Sequence, residues 1–318
     1  MATASFYFTV AATLLAAGSF AAHVTHLTLL AGGRSLAAVL APTRPAYARV
    51  VSGSFVASAE AAAGAGRGSG PRTIAGPFAI GLARAALACL VAALVMRGIV
   101  VGRGPWGNLY EFSVAFATGV LAGYALLERR LPVRVLGLIP TGIALGLLLY
   151  AWTLPREIEP LVPALQNPPL LTVHVGLAMI SYGILAMSFA AGVGYLAQAR
   201  RLADGSTVDR FAWLPSREVL DQLAYRSVII GFPIFAAMIV LGSWWASIAW
   251  SRWWGWDPKE TAALVTWLVY AVYLHLRSQR GWRGRPAALV LVVGFLMVLI
   301  TYSGNLWFPG LHAYSGLG

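Results

Sequence analysis

The chain alternates long apolar runs with short breaks that carry arginine, proline and glycine. Runs near spanning length fall at about 4–30, 78–97, 109–127, 135–152, 171–197, 227–248, 260–276 and 286–305. A helix needs roughly 20 residues to cross a hydrocarbon core about 30 Å thick. In lipid the backbone must satisfy its own hydrogen bonds, so such runs are expected to be helices. The pattern predicts an all-α integral membrane protein with about eight transmembrane helices, forming a single polytopic domain over 1–318. The opening M-A-T-A-S-F-Y-F-T-V carries no basic leader, so the first run is expected to stay as a span. Residues 31–75, rich in Ala, Gly and Ser, are expected to form a flexible cytoplasmic linker without a site of its own.

Composition agrees with this picture: 59% of residues are hydrophobic, 11% are charged, and mean hydropathy is +0.73. The net charge of +12 would suggest nucleic acid if its distribution were ignored. Seventeen arginines fall in alternate connections, around 34–72, 129–134, 200–226 and 277–285. The other connections hold five basic residues, Arg97, Arg103, Arg156, Arg252 and Lys259, and Arg84 lies inside a run. By the positive-inside rule the rich side is cytoplasmic, and both termini are expected to be extracytoplasmic. The charge reports orientation, and no nucleic-acid partner is expected. Cys89 is the only cysteine, so no disulfide or thiolate metal site can be built within the chain. The chain has no Gly-rich phosphate loop, H-E-x-x-H or nucleophile elbow.

One stretch stands apart. Residues 242–260 read G-S-W-W-A-S-I-A-W-S-R-W-W-G-W-D-P-K-E and carry half of the chain's twelve tryptophans: Trp244, Trp245, Trp250, Trp253, Trp254 and Trp256. Indoles favour membrane interfaces, but a belt spreads them over many helix ends. Six in one external connection make an apolar platform suited to a large planar ligand. Asp257, Pro258 and Glu260 have the grammar of a helix start, with an N-cap, a first-turn proline and a capping-box carboxylate. That helix N-terminus, with Lys259 and Arg252 beside it, would also attract an anion. The structural and the binding reading are compatible.

Five histidines complete the candidate chemistry. His174 and His312 fall on the outer side, level with the tryptophans. His23, His26 and His275 lie toward the inside. A single histidine in a membrane helix is more often a helix–helix hydrogen-bond partner than a ligand. The outer pair meets the requirement of bis-histidine haem ligation, two neutral imidazoles approaching a plane from opposite sides with indoles at the rim. Arg252, Lys259 or the helix start could take the propionates. His275 lies fifteen residues beyond Glu260, about 22 Å of helix, too far to reach the same iron.

W-W-G-W-D-P-K-E, G-N-L-Y-E-F, L-D-Q-L-A-Y-R, G-F-P, Y-L-H-L-R and the terminal G-L-H-A-Y together resemble the CcsA/ResC family of System II cytochrome c biogenesis proteins, in the tryptophan-rich haem-handling superfamily. The motifs run from about residue 97 to the end. The resemblance implies that haem b, as substrate and bound ligand, passes from the cytoplasmic side to the tryptophan loop. There it is joined by thioether bonds to the Cys-x-x-Cys-His thiols of apocytochrome c. By matching position, His174 and His312 are the outer axial ligands and His275 is one ligand of an intramembrane haem. The second intramembrane ligand comes from a partner of the ResB/Ccs1 type, with His23 and His26 kept as candidates inside this chain. The implied protein is the membrane subunit of a cytochrome c haem lyase complex, served by a thiol-reducing thioredoxin-like protein. It needs no nucleophile of its own, because the acceptor supplies the sulfurs. An alternative is a haem exporter with no part in attachment. The expected home is a bacterial plasma membrane, ahead of a thylakoid membrane.

Overall fold

A computed structural model describes residues 1–40, 74–130, 134–158, 160, 165–166, 168–203 and 214–312. Among these, eight α-helices follow one another: α1 (Ala2–Leu40), α2 (Ala75–Val101), α3 (Leu109–Arg130), α4 (Leu138–Ala151), α5 (Pro168–Ala203), α6 (Arg217–Trp250), α7 (Pro258–Arg280) and α8 (Arg285–Trp307). A 3₁₀ turn over Arg134–Gly137 leads into α4. The protein is an all-α integral membrane protein. Six helices (α1, α2, α3, α5, α6 and α8) are long and apolar enough to span a bilayer. The other two correspond to expected spans but differ from them: α4 is short, with 14 residues, and α7 is more polar. Helix α1 continues ten residues past the expected boundary at 30, while 41–73, the bulk of the expected linker, lie outside the described residues.

Helix α5 is the hub, packing on α3, α6 and α8, while α1 pairs with α2 and α4, and α7 packs against α8. Lipid offers no hydrophobic gain for helix association, so close packing of small residues carries it. At the α3–α5 crossing, the two backbones are so close that a Cβ on Gly183 would strike the Gly119 carbonyl and a Cβ on Gly119 would strike the Met179 carbonyl. Glycine is required there. Beside the crossing, Phe116, Tyr182 and Phe235 interleave from α3, α5 and α6, with ring centroids 5.4 Å apart for Phe116–Tyr182 and 5.6 Å for Tyr182–Phe235.

Several ionisable groups of the bundle are paired across helices. Arg84, a half-exposed residue of α2, meets the buried Glu128 of α3 at 2.6 Å. Arg277 of α7 grips Asp221 of α6 in two hydrogen bonds of 2.7 and 2.6 Å, and its guanidinium lies 4.4 Å over the Tyr225 ring. Ser216 caps α6 by accepting the Val219 N–H, and the helix runs unbroken from the L-D-Q-L-A-Y-R segment to Trp250.

Candidate functional site

The α6–α7 corner organises the site. Residues 242–250 are the last turns of α6, so only the second half of the tryptophan stretch is a loop. Ser251 ends α6 in the left-handed region at φ 55°, and Trp256 adopts the same φ just before α7. The Ser243 hydroxyl donates to the Trp253 carbonyl at 2.6 Å and ties the loop back to α6. The helix start forms as its grammar predicts. Asp257 Oδ2 accepts the Lys259 N–H at 3.0 Å, and Glu260 Oε2 accepts those of Gly255 and Asp257 at 2.8 and 3.2 Å. Two donors that would be orphaned at a helix end are satisfied reciprocally.

Beneath this corner lies an open-mouthed cavity enclosing about 130 Å³, with His174 and His312 both in its wall. Trp245, Trp250 and Trp254 form one side, with Lys259 and Glu260 at the α7 start. The Trp245 ring lies nearly parallel to His174, with centroids 6.5 Å apart, and 5.8 Å from His312; Trp250 meets His312 edge-on at 4.9 Å.

Each imidazole is anchored through the same atom. His174 Nδ1–H donates to the Met238 carbonyl on α6 at 2.8 Å. His312 Nδ1–H donates to the Asp257 carboxylate at 2.7 Å. With the proton on Nδ1, the ring lone pair lies on Nε2, the nitrogen through which such an imidazole ligates a metal. The His174 contact depends on Gly242, because a Cβ there would lie 2.5 Å from His174 Cε1. The tail depends on Gly310, where a Cβ would run into Asp257 Oδ1, the atom that also accepts the Leu311 N–H at 2.5 Å.

Charge at the cavity follows from burial and pairing. Burial raises the Asp257 carboxyl, but the His312 hydrogen bond and charge and the Lys259 and Leu311 N–H groups outweigh it and hold it at about 2. Burial also pushes His312 below the usual imidazole range, against the pull of Asp257, so the ring is neutral at pH 7. Lys259, in the cavity wall and 5.0 Å over the Phe112 ring, is lowered by desolvation to about 8.

Not every expected site residue converges. Trp244, Arg252, Trp253 and Trp256 are exposed outside the cavity wall, and Arg252 lies over Gly255. His275 is exposed on α7 and does not line the cavity. His23 is fully buried, donating from Nδ1 to the Ser19 carbonyl at 2.9 Å and accepting from the Tyr124 hydroxyl at Nε2, 3.1 Å away. His26 packs against Gly76 of α2.

Sequence reasoning missed Trp106 and Phe112. The Trp106 indole lines the same cavity as Trp245 and donates to Thr172 Oγ1 of α5 at 3.3 Å. Its neighbour Glu111 does more than open α3. This buried carboxylate accepts from Arg97 Nε at 2.8 Å, Arg103 Nη1 at 3.1 Å and the Gly107 N–H at 2.6 Å, locking the 102–108 turn that carries Trp106. The available signal was topological: this connection shares a side with the tryptophan loop and holds another tryptophan.

The fold and cavity define a polytopic helical membrane protein with two oriented imidazoles and an indole wall at one end of the bundle. The family model for "Cytochrome C assembly protein" matches residues 106–312, a span that begins at Trp106 and ends at His312. The chain belongs to that family and is of the CcsA type. It is 36% identical over 284 residues to the cytochrome c biogenesis protein CcsA of Synechococcus elongatus, covering 74% of this chain and 87% of the relative. The CcsA of Parasynechococcus marenigrum is 38% identical over 251 residues, covering 71% and 82%. That of Microcystis aeruginosa is 35% identical over 275 residues, covering 71% and 84%.

Proposed function

We propose that the chain acts in cytochrome c biogenesis by holding haem b at the external face, between His174 and His312, for thioether attachment to apocytochrome c. One observation carries this reading: both imidazoles are fixed through Nδ1 and open on one indole-walled cavity. That donor set suits a six-coordinate haem. The cavity is open on one side, so a haem held there would leave an edge accessible to a peptide. Lys259, desolvated in the cavity wall, is the cation placed to take a propionate.

In attachment, each acceptor thiol adds across a haem vinyl group. The sulfur bonds to one vinyl carbon and a proton completes the other, with no leaving group. The chain contributes position rather than a nucleophile: it orients the vinyl edge and excludes competing iron ligands. Its only cysteine, Cys89, lies on α2 and does not line the cavity. His275, exposed on α7, is the proposed ligand of a second, intramembrane haem completed by a ResB/Ccs1-type partner in a System II synthase complex. A thioredoxin-like protein keeps the acceptor thiols reduced. The membrane is a bacterial plasma membrane; the likeness to cyanobacterial CcsA proteins makes the thylakoid its rival, and cell fractionation decides between them.

The test is a visible spectrum of the protein purified with its partner, with haem supply assured. The expected result is a low-spin Soret band that His174→Gly and His312→Gly each weaken, together with cytochrome c yield. An unchanged band in the double variant overturns the axial assignment. Haem retained without capture of a Cys-x-x-Cys-His peptide favours the exporter reading.

A further inference from the structure

The two imidazoles are held alike in geometry but not in charge. His174 donates to a neutral backbone carbonyl, while His312 donates to a carboxylate that is 5% exposed. Asp257 receives three hydrogen bonds: Leu311 N–H on Oδ1, and Lys259 N–H and His312 Nδ1–H on Oδ2. The same side chain therefore starts α7, docks the tail and aims the ligand. A charge-assisted bond is roughly twice as strong as a neutral one. It draws the Nδ1 proton toward oxygen and gives the ring anionic character at Nε2. Partners of this kind orient metal-bound histidines and raise their basicity.

Resting on the haem reading above, we propose that Asp257 is a positioning residue that makes the axial ligands unequal: His312 is the stronger, charge-donating ligand that favours ferric iron, and His174 is the weaker one that the acceptor's histidine displaces. A strong donor on one face weakens the bond trans to it, so exchange occurs at His174. The arrangement keeps hold of the haem through the tail while one face is handed over.

Asp257→Asn tests this, because asparagine still caps a helix while removing the charge. The expected result is a retained low-spin spectrum and about a tenfold weaker preference for ferric over ferrous haem. That is an upward move of about 59 mV in midpoint potential for one electron. A haem-loaded variant with unchanged potential overturns the proposal. If Asp257→Asn loses haem, His312→Gly, with Asp257 intact, is loaded with haem and either imidazole or 1-methylimidazole as replacement ligand. Imidazole has an N–H for Asp257 and 1-methylimidazole has none. The imidazole adduct should then have the lower potential by a similar step, and equal potentials overturn the proposal. Failure of the wild type to bind haem through His174 and His312 would instead overturn the haem reading.

Discussion

At the scale of single residues, two neighbouring indoles show how position along the chain differs from position in space. Trp245 is 2% exposed and walls the cavity, whereas Trp244 is 49% exposed and faces away. A step of about 100° around the helix separates them. Gly242, one turn before, is present for its missing Cβ. Gly242→Ala should favour α6 by up to about 1 kcal/mol on helix propensity alone. It should nevertheless lower haem affinity at least tenfold by pushing His174 aside. Thermal stability and haem titration of one preparation would show the two effects with opposite signs. Lys259, lowered to about 8, makes a second prediction. Its cation is present below pH 8 and lost above it, so haem association should fall as pH rises through about 8. Lys259→Arg should flatten that profile.

The tail has its own pH dependence. His312 sits below the ordinary 6.5, so as pH falls through 6.5 the undocked tail takes a proton that the docked ring resists. Docking is therefore strongest above about 6.5 and weakens on acidification. Asp257 is displaced from 3.8 to about 2, so its contribution is full above 3.8 and lost toward 2. Limited proteolysis near the C-terminus should quicken first below pH 6.5.

At the scale of elements, the helix start at Asp257 shows a local signal realised in full, since cap and capping box involve residues only three apart. The 102–108 turn shows the opposite. Asn108 caps α3 by accepting the Glu111 N–H at 2.9 Å, a bond between residues three apart. That Glu111 also pairs with Arg97 and Arg103 required α2 and α3 to lie side by side. Removing one partner of a buried pair costs roughly 3–5 kcal/mol, because the other charge is stranded. Glu111→Gln should therefore lower stability by about 3 kcal/mol and displace Trp106, which Trp106 accessibility to an aqueous fluorescence quencher would report.

At the scale of the whole molecule, orientation is the open expectation, and the chain is convenient for testing it. With Cys89→Ser as background, a cysteine placed at the exposed Trp253 should react with an impermeant maleimide in intact cells. One at the exposed Arg283 should react only after permeabilisation. The reverse pattern would invert the topology and put the cavity on the cytoplasmic face.

Hydrophobic periodicity and capping grammar were enough to establish a helical membrane protein, the order of the eight helices among the described residues, the α7 start and the pairing of His174 and His312 as candidates. These signals are local or additive along the chain, so no tertiary knowledge is needed to read them. Only the packed bundle decided which three of the six indoles face inward, that Trp106 completes the wall, and that Nδ1 anchors both imidazoles. Those outcomes depend on the rotation of each helix about its axis. That rotation is set by contacts such as Gly119 on Gly183, between residues far apart in sequence.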